Sequence, residues 1–68
     1  MAQTWYDKKE DILSIDIVKG EYYKSIEVRG GILIDIQKDG TVLSIEIAHA
    51  SKVFGSEQAV LAKATTIM

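Results

Sequence analysis

Between Gly31 and Ala48 the chain reads GILIDIQKDGTVLSIEIA, two alternating apolar runs around Asp39-Gly40, and that pattern is the strongest short-range signal for a β-hairpin. Asp-Gly supplies two residues that tolerate positive φ, as a two-residue type I′ turn requires. The register follows from the faces it creates. If Lys38 pairs with Thr41, then Ile36 faces Leu43, Ile34 faces Ile45 and Ile32 faces Ile47, which makes one side wholly aliphatic. The other side pairs Gln37 with Val42, Asp35 with Ser44 and Leu33 with Glu46, the mixed character of a partly solvated surface. A three-residue loop with a bulge at Gly40 slides the partner strand by one, opposes Ile34 to Ser44 and Ile32 to Glu46, and mixes both faces. The two-residue loop is therefore the expectation.

The remainder reads as more of the same sheet. Gln3 to Tyr6 reads as a short strand, Asp7 to Glu10 as a polar turn, and Ile12 to Val18 as a half-buried strand in which Leu13, Ile15 and Ile17 alternate with Ser14 and Asp16. Lys19-Gly20-Glu21 is the next turn, and Tyr23 to Val28 alternates again. At Arg29-Gly30-Gly31 a loop reaching Ile32 sets Val28 against Ile34 and Ile26 against Ile36, whereas a two-residue loop would place Glu27 against Ile34. After Ala48 the period changes. Ser56 can cap a short helix over residues 56–65, with Glu57 in its first turn and Val60, Leu61 and Ala64 on one side. The expected architecture is mainly β (α+β): one domain over 1–68, an antiparallel β-meander of four to five strands over about 3–49, and the helix packed on one face.

Sixty-eight residues bury only about three-fifths of the surface that the unfolded chain exposes. The chain has no cysteine, so neither a disulfide nor a thiolate metal site can supplement that core. A helix of two to three turns spans on the order of 15 Å and covers only part of an aliphatic face built from residues 13–47. The uncovered remainder, read as Ile32, Ile34, Ile36, Leu43, Ile45 and Ile47, predicts self-association as a homodimer. The N-terminus MAQTWYDKKEDIL is charged, and no apolar run approaches a membrane span, so a soluble cytoplasmic protein with no membrane contact is expected. The net charge is −2 with Lys and Arg scattered, which disfavours nucleic acid and leaves room for a basic protein partner.

No residue set specifies a reaction, and no cofactor is expected. Asp35, Gln37, Asp39, Gly40, Val42 and Glu46 fall at positions 1, 3, 5, 6, 8 and 12 of an EF-hand-like calcium loop. That loop needs flanking helices, whereas the flanks here are β-branched and alternating; in the hairpin Asp35 and Glu46 stand diagonally, roughly 7–8 Å apart. His49 with Ser51 can be drawn as base and nucleophile, but a strand-end histidine near solvent is the commoner situation. Asp16, Asp35, Glu46 and His49 make up the minor polar-site hypothesis, for metal, ligand or acid–base work. Trp5, Tyr6, Tyr22 and Tyr23 read as core or edge packing ahead of a ligand groove.

Tyr6-Asp7, Asp11-x-Leu13-x-Ile15, Leu33-Ile34-Asp35, Asp39-Gly40, Ile45-Glu46-Ile47 and Ala50-Ser51 occur here in an order and spacing that resembles the small prokaryotic family known as domain of unknown function 2283, over about residues 5–52. The chain departs from that pattern at Ala48-His49, where an aliphatic-Asp pair is typical, and at Ser14, where an aromatic is. The resemblance implies a small antiparallel β protein with no established activity. It also implies an antitoxin-like role beside a small basic nuclease-like partner.

Overall fold

The computed structural model describes residues 3–64 and the backbone of residues 66 and 67. β1 (Gln3–Asp7) and β2 (Ile12–Asp16) form one antiparallel hairpin, and β3 (Lys24–Val28), β4 (Ile32–Ile36) and β5 (Val42–Ile47) form a three-strand meander. Two short helices follow, α1 (Ala50–Val53) and α2 (Glu57–Leu61), and β6 (Thr66–Ile67) runs parallel to β1. The sheet order is β3-β4-β5-β2-β1-β6. The mainly β, antiparallel expectation holds, with a helical part near the C-terminus; the strand order is not a sequential meander, because β2 pairs with β5.

That order is a Greek-key return. Residues 17–23 cross the ends of β5 and β4, three strand spacings or about 15 Å, well within the reach of an extended segment of that length. The crossing is tight at Gly20. A Cβ there would collide with Gln37 Oε1 and lie 2.9 Å from Leu43 Cδ2, while Gln37 Oε1 accepts the Glu21 N–H at 3.0 Å and ties the loop down.

The Asp39-Gly40 hairpin reaches its register by a different route from the expected one. Gln37 N–H donates to the Thr41 carbonyl at 2.9 Å and Gly40 N–H to the Gln37 carbonyl at 3.0 Å. Only Gly40 in this turn has positive φ, at 92°. The loop is therefore the three-residue form with a glycine bulge. Asp39 acts through its carboxylate, which accepts the Thr41 N–H at 3.0 Å; this bond holds its acid below the usual carboxylate range. A second irregularity between Asp35 and Ile36 cancels the one-residue slip: Ile36 pairs with Val42, yet Asp35 pairs with Ser44, Ile34 with Ile45 and Ile32 with Ile47. Leu43, left without the expected Ile36 partner, turns its carbonyl to the Ile17 and Val18 N–H groups at 2.8 and 3.2 Å.

At the other hairpin the expected register is off by two. Val28 pairs with Ile32 and Ile26 with Ile34, because Gly30 and Gly31, at φ 86° and 82°, reverse the chain sooner than a loop through Ile32 would. A shift of two preserves which side each residue faces, so the aliphatic-face criterion could not separate the two registers.

The cross-strand pairs define an apolar face of two main rows: Tyr6, Leu13, Ile47, Ile32, Val28, and Thr4, Ile15, Ile45, Ile34, Ile26. The helices sit over one end of it. Tyr6, Leu13, Ile47, Ala50 and Val60 form the buried cluster, with Ile15, Ile32, Ile45, Phe54, Leu61 and Ala64 packed against it. As expected, Ser56 caps α2, its Oγ accepting the Ala59 N–H at 3.1 Å. The helix closes at Leu61, short of the expected 65, and Thr65 lies outside the described residues. No helix among the described residues is long and apolar enough to cross a membrane. Because Leu13 is 1% exposed at the centre of the cluster, Leu13→Ala should cost about 2–5 kcal/mol in urea denaturation. Val53→Ala, on the exposed side of α1, should stay within about 0.5 kcal/mol.

Candidate functional site

Three surfaces carry chemistry or contact potential: the junction where the sheet meets α1, the polar face opposite the helices, and the apolar strip that the helices leave bare. The junction is built on two non-glycine residues in the left-handed region, Asp11 at φ 58° and His49 at φ 52°. Asp, Asn and His adopt that conformation more readily than most residues. Asp11 closes the β1–β2 turn, and His49 lies between β5 and α1. Their backbones bring the two turns together: the Asp11 carbonyl accepts the Ala50 N–H at 2.9 Å. The Asp11 carboxylate then accepts from Ser51 N–H at 3.0 Å, Ser51 Oγ at 2.6 Å and Tyr6 Oη at 2.6 Å.

Ser51, then Tyr6, stabilise the ionised carboxylate and hold the Asp11 acid below its ordinary value. The same bond pushes the Tyr6 hydroxyl up to about 12. A carboxylate so stabilised is a weak proton acceptor, and Ser51 directs its hydroxyl proton to it and not to His49. The drawn pair of His49 and Ser51 is thus absorbed into a structural clasp. Asp11 is the residue that isolated motif reading overlooked. Its signal was present in the Asp11-x-Leu13 and Ala50-Ser51 segments, but only the fold brings them together.

On the polar face, cross-strand pairing aligns Gln3, Asp16, Ser44, Asp35 and Ser25 in one row and Trp5, Ser14, Glu46, Leu33 and Glu27 in the next. Asp35 is fully engaged, with Ser25 Oγ donating to Oδ1 at 2.5 Å and Ser44 Oγ to Oδ2 at 2.7 Å, and Ser25 also meets Tyr22 Oη at 2.8 Å. Asp16, Asp35 and Glu46 therefore share a face as expected, but Ser44 lies between Asp16 and Asp35, and His49 lies elsewhere. Among the described residues no group of three or more His, Cys, Asp or Glu is placed to hold a metal ion. The calcium-loop positions are distributed along the two strands and turn of the hairpin. An open groove of about 760 Å³ runs beside Asp16, Ile17, Val18, Gly20, Leu43 and Ser44, where the β2–β3 crossing leaves β2.

Of the aromatics, Tyr6 is core and Trp5 half-buried, its indole Nε1 enclosed without a hydrogen-bond partner among the described residues. Tyr22 and Tyr23 are exposed, and Lys24 Nζ stands 5.7 Å from the Tyr23 ring centroid. Of the six aliphatics read as an association face, Leu43 and Ile47 are buried and Ile32 and Ile45 pack against the core. The bare strip lies further out, at Ile26 and Val28, 42% and 40% exposed, beside half-buried Ile34 and Ile36.

The clasp makes a pH prediction with a definite sign. Asp11 has its folded pKa depressed below 3.8, so its contribution is complete above that ordinary value and is lost as pH falls through the lower folded one. Tyr6 mirrors it: its contribution is present below 10 and is lost as pH rises toward about 12. Urea midpoints measured across pH should show Asp11→Asn flattening the acid limb and Tyr6→Phe flattening the alkaline one. Acid and alkaline limbs identical to those of the unmodified chain would remove the clasp from the account.

The family model described as Protein of unknown function (DUF2283) matches residues 3–51, from the first residue of β1 to the serine that closes on Asp11. No curated protein and no solved structure matches the chain. The matched segment holds the five antiparallel strands and both halves of the clasp, and on that match the chain belongs to the DUF2283 family.

Proposed function

We propose that this protein is a non-enzymatic module that self-associates at the β3–β4 end of its sheet. The observation that carries the reading is the gradient of cover along the first apolar row: Tyr6 and Leu13 are 1% exposed, Ile47 8%, and Val28 40%. Two helices of four and five residues cannot reach Ile26, Val28, Ile34 and Ile36. The surface area agrees. The chain exposes 4877 Å², whereas a folded monomer of 7.5 kDa is expected to expose roughly 4,200 Å².

Sedimentation at micromolar concentration should give a species of twice 7.5 kDa. Ile26→Glu with Val28→Glu should convert it to monomer, while Val18→Glu, an exposed apolar site 47% accessible outside the strip, should leave the dimer intact. A monomer for the unmodified chain counts against the reading.

A second reading, an acidic partner of a basic protein, is favoured by the polar face. Asp7, Asp16, Glu27, Asp35 and Glu46 occupy its strand positions, while the one basic strand residue, Lys24, pairs with Ile36 on the apolar side. A single-sign surface of this kind steers an oppositely charged partner and discriminates against acidic ones. Capture from the native host should retain a basic protein that high salt releases and that Asp16→Lys with Glu46→Lys no longer binds.

A further inference from the structure

The proposed self-association leaves open which parts of two copies meet, and the outer edge of β3 supplies a specific answer that rests on that reading. β3 ends the sheet on one side, and all five of its residues are exposed. The opposite edge is different: β1 is covered along Trp5 and Tyr6 by β6. An edge strand of an antiparallel sheet presents alternate backbone N–H and C=O groups to whatever lies beside it. Of the usual obstacles β3 carries the charged Lys24, on the apolar side, and Glu27, on the polar one, but its residues KSIEV include no proline and no glycine and its five-pair ladder to β4 is regular without a bulge.

The geometry points to an edge-to-edge dimer in which β3 of one copy pairs antiparallel with β3 of a second copy about a two-fold axis at Ile26. Opposed residues in an antiparallel pair share a face, and a two-fold axis perpendicular to the sheet preserves faces, so the centre must fall on a residue and not between two. Centring on Ile26 is the choice that pairs the whole strand. It sets Ile26 against Ile26 of the second copy, Lys24 against Val28, and Ser25 against Glu27. Centring on Lys24 or Glu27 would place identical charges directly opposite, which is unfavourable. In the Ile26 register the two Glu27 carboxylates are only diagonal, roughly 7–8 Å apart and screened by salt. The bare strips of the two copies then adjoin at the seam, Ile26 beside Ile26, with each Val28 against the methylene stem of the other copy's Lys24.

The chain has no cysteine, so single introduced thiols report the register. Directly opposed positions fall within disulfide reach and diagonal ones largely do not, so on air oxidation Ile26→Cys should cross-link at least about tenfold faster than Ser25→Cys or Glu27→Cys alone. A mixture of Ser25→Cys and Glu27→Cys chains should cross-link where neither does by itself. Amide exchange in β3 of the unmodified chain should slow as concentration rises. A dimer whose β3 amides exchange independently of concentration, and whose Ile26→Cys form remains a thiol, would overturn the edge register while leaving self-association standing. A chain that sediments only as a monomer would overturn both.

Discussion

The pairing of β2 with β5 is the contact on which the rest of this structure depends. Each hairpin is local and forms from its own turn, but neither buries enough surface to persist alone. Leu13 against Ile47 and Ile15 against Ile45 join the β1–β2 hairpin to the β3–β5 meander across about thirty residues of chain, at the loop-closure cost that non-local strand pairs carry. That seam builds the continuous apolar rows, and the helices settle on the rows at the place where the seam is. Asp11 reinforces it from the end. By accepting from Ser51 and Tyr6 while its own carbonyl binds Ala50, it fastens the first turn to the segment that leaves β5.

The same seam leaves the meander's outer half exposed. Cover is densest over β1, β2 and β5 and falls away across β4 to β3, so the molecule has a finished end and an unfinished one. In a chain of this size the unfinished end is not a local defect. The helical material is consumed over the seam, and among the described residues the apolar side chains of β3 have no second layer. The polar face follows the opposite logic, with its acids held by serines, as Asp35 is, or by turn amides, as Asp7 is, or exposed, as Asp16, Glu27 and Glu46 are.

Much of the sheet was legible because strand alternation is a strict period of two. The facing pairs Ile32–Ile47 and Ile34–Ile45, the strands around Leu13 and Ile26, the loop glycines and the Ser56 cap all rest on local pattern, and family membership rested on the order of short segments. The turn at Asp39-Gly40 shows where local pattern fails. Its slip is cancelled by a bulge at Leu43, and a face criterion registers only the net result, not the two compensating offsets. The β3–β4 register failed for a related reason, since pairings that differ by two residues put the same side chains inward.

Sequence alone thus determined which residues face together, because alternation requires nothing beyond the strand itself. Tertiary structure decided which strands are neighbours, which carboxylate becomes the clasp, and which part of the aliphatic face remains bare. Those outcomes depend on contacts between segments far apart in the chain: β2 finding β5, Asp11 finding Ser51, and two short helices covering one end of a sheet wider than they are.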